Sequence, residues 1–503
     1  MGILDLPTEL LVLIVELTRP SDLDSLGLSC KTIAKVGKET LRRHRSYKRQ
    51  WKHIDLNDRR QQGREPQTAL ALILSNIQDR RIAEYIETLD LRYYSDEVDV
   101  ESGIKSLLAD KGNEAALERL VTDSPYPLSN LWSRESWEDD RHSQNPFTPW
   151  TYEELTTAVL LSLLPNVRTL RLPDQWHETQ YSSGGNSKSS ALRRVLDAIV
   201  SMANKSSQGE APLSSLETIL PYSETQYDPR NGLCEVLPFM SLKSLQNLHV
   251  CNMVGVDDGY TGIPFLWYHG DIASCLRTIQ LPGGCMDAAG VAELVRHTPQ
   301  LTTFAYSHHT KWHGCLHDWG AGSFIAAIGE HRGDTITELA ITIDLLFGMI
   351  ENGVTSLKEF KRLNTVELDV RVFAGPSVAS GNRQGMEGEF TAWEPSSVPN
   401  LLDILPPTIC TINLFVSDDE GEVDEKQCAT VLGKFLGELS NDFGHPVNCV
   451  VRSNRKGDEL QEIRDLVSSR ALARSLRWNE RVEQKDKPMW QEQFIERYGE
   501  IFK

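Results

Sequence analysis

A chain of 503 residues, 40% hydrophobic and 24% charged, is too long for one ordinary core, so two domains or an extended repeat array are expected. Its net charge of −19 disfavours general nucleic-acid binding, and no apolar run reaches membrane-spanning length. Nine cysteines, an odd number with no C-x-x-C pair, point to free thiols in a reducing compartment, the cytosol or nucleus.

The first eighteen residues are apolar, but Asp5, Glu9 and Glu16 interrupt them and no basic segment precedes them, which argues against a secretory signal. Leu6 stands where N-myristoylation needs Ser or Thr. Leu10, Ile14 and Leu17 step by four and three, aligning on one face of a short helix. Pro7 suits the first turn of that helix, where a missing N–H costs nothing. Ser21 can cap a second helix carrying Leu23 and Leu26, with Asp22 at its positive end. Ile33, Val36, Thr40 and Leu41 mark a third. Three helices of this size bury little among themselves, so part of the apolar face is expected to be left for a partner. The alternative is that they pack on their own chain.

The stretch Leu6-Pro7-x-Glu9-Leu10-Leu11-x-x-Ile14, followed by Asp22-Leu23-x-x-Leu26 and Lys31, resembles an F-box. That family's module is a three-helix unit that docks on the Skp adaptor of a cullin–RING ubiquitin ligase. The resemblance implies a domain over residues 1–52 with adaptor-binding residues Leu6, Pro7, Glu9, Leu10, Leu11, Ile14, Leu17, Leu23 and Leu26. It is weaker after Lys31, where Ile33 stands near the place at which the family often carries an aromatic. From Lys31 to Lys52 nine basic residues face the single Glu39; the reading preferred is a solvated helix face, the alternative a grip on phosphate.

After a polar break at 61–66, Thr68 to Glu84 reads as a helix, and then a phrase of the form L-x-x-L-x-L begins to recur. Its centres fall at Leu89, Leu170, Ile219, Leu248, Ile279, Phe304, Leu339, Val366 and Ile412, with steps of 25 to 35 residues between Ile219 and Val366. A short strand in each unit at such a period is similar to leucine-rich repeats. Helices are expected between strands at Asp287 to His297, Gly322 to His331 and Glu425 to Leu439. The Asn that usually follows the core phrase is missing, which puts regular curvature in doubt; a generic Leu-rich α/β domain is the alternative. Trp150-Thr151-x-Glu153-Glu154-Leu155, with Thr151 and Glu154 as a capping box, resembles fungal F-box proteins.

The expected fold is therefore α/β: the three-helix F-box, then an irregular leucine-rich-repeat-like solenoid of parallel strands and helices over residues 53–457. Insertions are placed near 122–149, 180–190 and 374–399, and residues 458–503 as a C-terminal helical cap and tail, with a helix from Asp458 to Trp478.

No nucleophile elbow, phosphate loop or His-Glu-x-x-His is present, so no catalytic residue and no cofactor are assigned. The acidic cluster Asp418 to Asp424 reads as a solvated loop out of register for calcium. Ser307 to Asp318 holds four His and one Cys; it reads as a recognition loop rather than a zinc site, with His309, Trp312 and His313 as candidate substrate contacts. The F-box resemblance implies a non-catalytic substrate receptor that binds the Skp adaptor and cullin–RING ligase, and the acidic charge outside residues 31–52 leads us to expect a net basic substrate segment. The alternative is a non-ligase interaction scaffold using the same module.

Overall fold

Between Thr8 and Trp51 the chain forms four helices rather than the expected three: α1 (Thr8–Leu17), α2 (Pro20–Ser29), α3 (Lys31–Val36) and α4 (Lys38–Trp51). Pro20 takes the first helical position of α2, so Ser21 lies inside the helix instead of capping it. The third helical run breaks at Gly37, whose ψ of 11° leaves the helical range. A side chain there would meet Val15 Cγ1 at 2.7 Å, so glycine lets α3 and α1 close on each other. Val15, Leu23, Ile33 and Leu41 form the small core, with Leu26 and Cys30 packed against it.

The computed structural model describes residues 2–56, 68–92, 110–130, 152–173, 176, 189–223, 225, 227, 231–257, 262–270, 272–311, 318–346, 350–374, 399, 401–416, 432, 447–454, 461, 464–465 and 478–499. It divides into two compact units, residues 1–180, 184–222 and 242–244, and residues 181–183, 223–241 and 245–503.

In the first unit α4 leads directly into β1 (His53–Asp55). Tyr47 donates to Asp79 Oδ2 at 2.7 Å, and the buried His44 meets the Tyr85 hydroxyl at 3.1 Å. The expected helix from Thr68 is α5 (Ala69–Gln78), capped by Thr68 Oγ1, which accepts from Ala71 N. It stops at Asp79, whose carboxylate accepts from the backbone N–H of Arg81 and turns the chain. The unit continues with β2 (Thr88–Asp90), α6 (Lys111–Thr122), α7 (Tyr152–Leu161), β3 (Thr169–Arg171), α8 (Ser189–Lys205) and β4 (Thr218–Ile219). These strands run parallel in one register, Ile54 beside Leu89, Leu89 beside Leu170 and Leu170 beside Ile219.

The second unit holds β5 (Asn231–Gly232), β6 (Asn247–His249), β7 (Met253–Gly255), β8 (Thr278–Met286), α9 (Ala288–Arg296), β9 (Thr303–His309), α10 (Ala321–Arg332) and β10 (Glu338–Leu345). Then come β11 (Thr365–Asp369), β12 (Thr411–Val416), β13 (Val447–Ser453), β14 (Trp478–Gln484) and α11 (Met489–Tyr498). The strands from β6 to β14, apart from β7, pair in chain order, all parallel; β5 and β7 form a side pair on β8. The sequence-derived centres Leu248, Ile279, Phe304, Leu339, Val366 and Ile412 stand side by side across this sheet. A backbone ladder joins the strand entries: Arg277 N–H to Gln246 O, Thr302 to Arg277, Thr337 to Thr302, Asn364 to Thr337, Cys410 to Asn364 and Asn448 to Cys410, each 2.8–2.9 Å. Main-chain pairing thus supplies the continuity that an Asn ladder would otherwise give.

Every second residue of a strand faces the helices. Phe304 and Tyr306 of β9 lie 6.4 and 4.7 Å, ring centre to ring centre, from Phe324 of α10. Two expectations are corrected here. Ser307 to His309 is not loop but the buried end of β9, because Tyr306 and His308 still alternate into the packed side, where His308 stacks on Trp319. Beyond the expected cap helix, of which Gln461, Arg464 and Asp465 are described and helical, Trp478–Gln484 is one more strand on β13. Its mixed sequence hides it, since neighbouring backbone rather than apolar side chains holds an edge strand in register. The capping box at Thr151, the helix at Glu425 to Leu439 apart from the buried Leu432, and the acidic cluster lie outside the described residues, as do the insertions near 122–149, 180–190 and 374–399 apart from residues 122–130, 189–190, 374 and 399.

Candidate functional site

Two surfaces qualify as candidate sites, one in each unit. The first is the outer side of α1 and α2. Leu11, Val15 and Leu23 are buried and close the module. Leu10, Leu13 and Leu17 are left 46%, 48% and 75% exposed, with Ile3 and Leu4 before them and Leu28 at the end of α2. Leu10, Ile14 and Leu17 fall on one side of α1, Ile14 being half-buried, so the stripe read from the sequence is the one turned away from the core. Of the other adaptor candidates, Pro7 and Glu9 are exposed, Leu6 and Leu26 half-buried, while Leu11 and Leu23 serve the core and could act on a partner only by holding the helices.

The module is braced electrostatically. Lys48 donates to Asp24 Oδ2 at 2.7 Å, and His44 Nε2 approaches the other carboxylate oxygen at 3.3 Å. The Lys48 hydrogen bond holds the Asp24 carboxyl below its usual range. The basic side chains of α3 and α4 from Lys31 to Arg49 are exposed, as a solvated face requires.

The second surface is the face of the second unit's sheet opposite α10. Its floor is small: Cys251, Ala305 and Ala340 pack under Trp490 and Phe494 of α11, with Tyr498 beside them. Around that floor stand polar groups, each engaged by the same helix. Glu367 accepts from the backbone N–H groups of Met489 and Trp490 at 2.5 and 3.0 Å, so its carboxyl caps the positive end of α11. The indole of Trp490 donates to Thr342 Oγ1 at 3.1 Å, and Gln491 donates to Asp344 Oδ1 at 2.6 Å. Arg452 pairs with Glu492 at 2.7 Å, and Tyr498 Oη hydrogen-bonds His249 Nε2 at 2.9 Å.

Burial sets the titration of this surface. It raises Glu367 to about 7, against the opposing pull of the two backbone N–H groups and Arg452. Asp344 is raised for the same reason, although Ser307 and Gln491 both donate to it. His249 is pushed down to about 4 by burial. Glu367, Thr342, Asp344, Arg452 and His249 each have a partner on α11, so together they grip that helix.

The His-rich segment divides. His309 is buried at the end of β9, and desolvation, helped by the charge of Lys311, lowers it to about 3. The fully buried Lys311 donates to Asn252 Oδ1 at 2.8 Å. Trp312 and His313 lie outside the described residues, and among the described residues no group of His, Cys, Asp and Glu is arranged to hold a metal ion. No described helix is long and apolar enough to cross a membrane.

Sequence reasoning missed the role of α11. The signal was available: Trp490, Phe494 and Tyr498 recur every four residues behind Pro488, an aromatic stripe on a helix start. The sequence matches no model of a known protein family and no curated protein.

Proposed function

We propose that this chain is an F-box substrate receptor of a cullin–RING ubiquitin ligase, in which the N-terminal helices dock the Skp adaptor and the parallel-stranded body, read as a leucine-rich-repeat-like solenoid, holds a protein substrate. In this reading the chain contributes proximity and no catalytic group, and it works in the cytosol or nucleus. The observation that carries the reading is the division of labour in α1: Leu11 and Val15 close the module while Leu10, Leu13 and Leu17 remain exposed. Full burial of such a side chain is worth roughly 1.5–3 kcal/mol, and a docking partner would recover about half of that at Leu10 and Leu13 and more at Leu17. The F-box-like order of residues from Leu6 to Leu26 supports the same conclusion.

The exposure of Leu10 and Leu17 also supplies a clean test, because replacing them does not empty the module's core. Leu10→Asp with Leu17→Asp in the full chain should weaken capture of recombinant Skp adaptor by about a hundredfold or more, since charge would be buried in the contact. Thr8→Ala, exposed and outside the stripe, should change it little. Circular dichroism of each variant should match the wild type. Equal capture by wild type and the double variant would remove the adaptor reading and leave the interaction scaffold.

A further inference from the structure

We propose that the sheet face around Glu367 is a recognition surface for an amphipathic helix bearing aromatic residues four apart behind a proline, and that α11 is its intramolecular occupant, which a helix of the same chemistry can replace. The inference concerns the second unit only and stands whether or not the N-terminal helices dock an adaptor.

The composition of the two sheet faces makes the case. On the helix-facing side the same strands carry Ile279, Phe304, Leu339, Val366 and Ile412, a dry apolar core. On the α11 side they carry Ala305, Ala340, Thr342, Asp344, Glu367 and Asn413, with Arg452 from β13, and the apolar Phe415 and Val450 only towards the β12–β13 end. A helix that merely completed a core would need no ring of buried polar partners, and this one has four, on Glu367, Thr342, Asp344 and His249. Here two aromatic anchors sit on small residues and are ringed by hydrogen bonds and an ion pair, the layout of a protein–protein contact.

The polar groups also specify what fits. Glu367 reads two main-chain N–H groups, so it recognises any helix that starts there, whatever its side chains. Thr342 Oγ1 accepts from the second helical position, where Trp490 donates through its indole. His249 accepts or donates to a hydroxyl eight residues further on, two helical turns along the same face. The occupant is thus a helix of the form aromatic-x-x-x-aromatic-x-x-x-Tyr, and Asp344 beside its start favours an amide or a cation at the next position.

Hydrogen exchange on the intact protein tests whether the occupant leaves without unfolding the sheet. Backbone amides of Phe494 to Tyr498 should exchange at least about tenfold faster than those of Phe304 to Ser307 and Val366 to Leu368. Exchange of both sets at one rate would make α11 an integral part of the fold and overturn the proposal. The second arm uses a labelled peptide with the sequence of residues 485–499. If α11 is open for roughly 1–10% of the time, the peptide binds wild type about 10- to 100-fold more weakly than it binds a full chain carrying Trp490→Ala and Phe494→Ala. Sheet amides that stay protected in that variant confirm that it is folded. A sheet that loses protection there, equal peptide binding to both proteins, or undiminished binding of a peptide with the same two alanines would each refute it.

Discussion

Glu367 shows how much one side chain can hold. Its carboxyl lies under the start of α11 and is kept protonated up to about pH 7 by burial, against 4.5 in an unfolded chain. A raised acid favours the folded state fully below pH 4.5, and that advantage is lost as pH climbs to about 7, by at most about 3 kcal/mol. Asp344, also raised, acts in the same direction. His249 acts in the opposite one: lowered to about 4 from 6.5, it favours folding above pH 6.5 and loses that contribution as pH falls. Glu367→Gln carries no titrating proton, so its stability relative to wild type should rise steadily between pH 4.5 and 7. Urea midpoints measured across that window check this, and a difference that does not vary with pH would contradict the assignment. At the same scale, Gly37→Val should destabilise the N-terminal module, because even its Cβ would press on Val15. A loss of roughly 1–3 kcal/mol is expected, read from the melting of that module's helical signal.

At the scale of elements, the strands were legible and their neighbours less so. Leu89, Leu170, Ile219 and the six centres after them each lie in a strand, because a repeated apolar phrase bounded by polar residues has few other ways to be buried. β1 escaped notice since His53-Ile54-Asp55 offers one apolar residue, and its place is set by pairing with Thr88 to Asp90. β14 escaped because only Trp478 and Val482 are apolar in a stretch otherwise charged or polar, and its place is set by pairing with β13. The polarity of Ser307, His308 and His309 suggested loop, yet β9 carries them inward, with His308 stacked on Trp319 at 4.3 Å. Propensity lost to register there. Of the candidate surfaces, the alignment of Leu10, Ile14 and Leu17 on one side of α1 was readable from spacing, whereas the exposure of Leu13 and the burial of Leu11 and Leu23 were not. The polar sheet face was not, because Glu367 and Asp344 gain meaning only from a helix more than a hundred residues away. Helix packing gives a further prediction. A Cβ at Gly322 would lie 2.0 Å from the carbonyl oxygen of Gly353, backbone that cannot yield cheaply. Gly322→Ala should lower stability by roughly 2–4 kcal/mol, visible as a drop in Tm, whereas a similar change at the open Gly270→Ala position is limited by its φ of 58° alone.

For the whole molecule, charge is the property with reach. Residues outside 31–52 sum to about −27, since that segment carries +8 of a net −19. A partner segment recovered by affinity capture should therefore be net basic, and its affinity should fall between about 0.05 and 0.5 M salt. A net acidic segment, or one indifferent to salt, would contradict this. The helix on the sheet face has a consequence in time as well as in energy. Tyr498 meets a histidine 249 residues earlier, and the indole of Trp490 meets a threonine 148 residues earlier. A ribosome adding about 5–20 residues per second takes on the order of ten seconds or more to cover such a distance. Glu367 precedes Trp490 by 123 residues, so for roughly 6–25 s Glu367, Asp344 and His249 have all been made while their helix has not, and on the proposal above the first suitable helix to arrive need not be the chain's own.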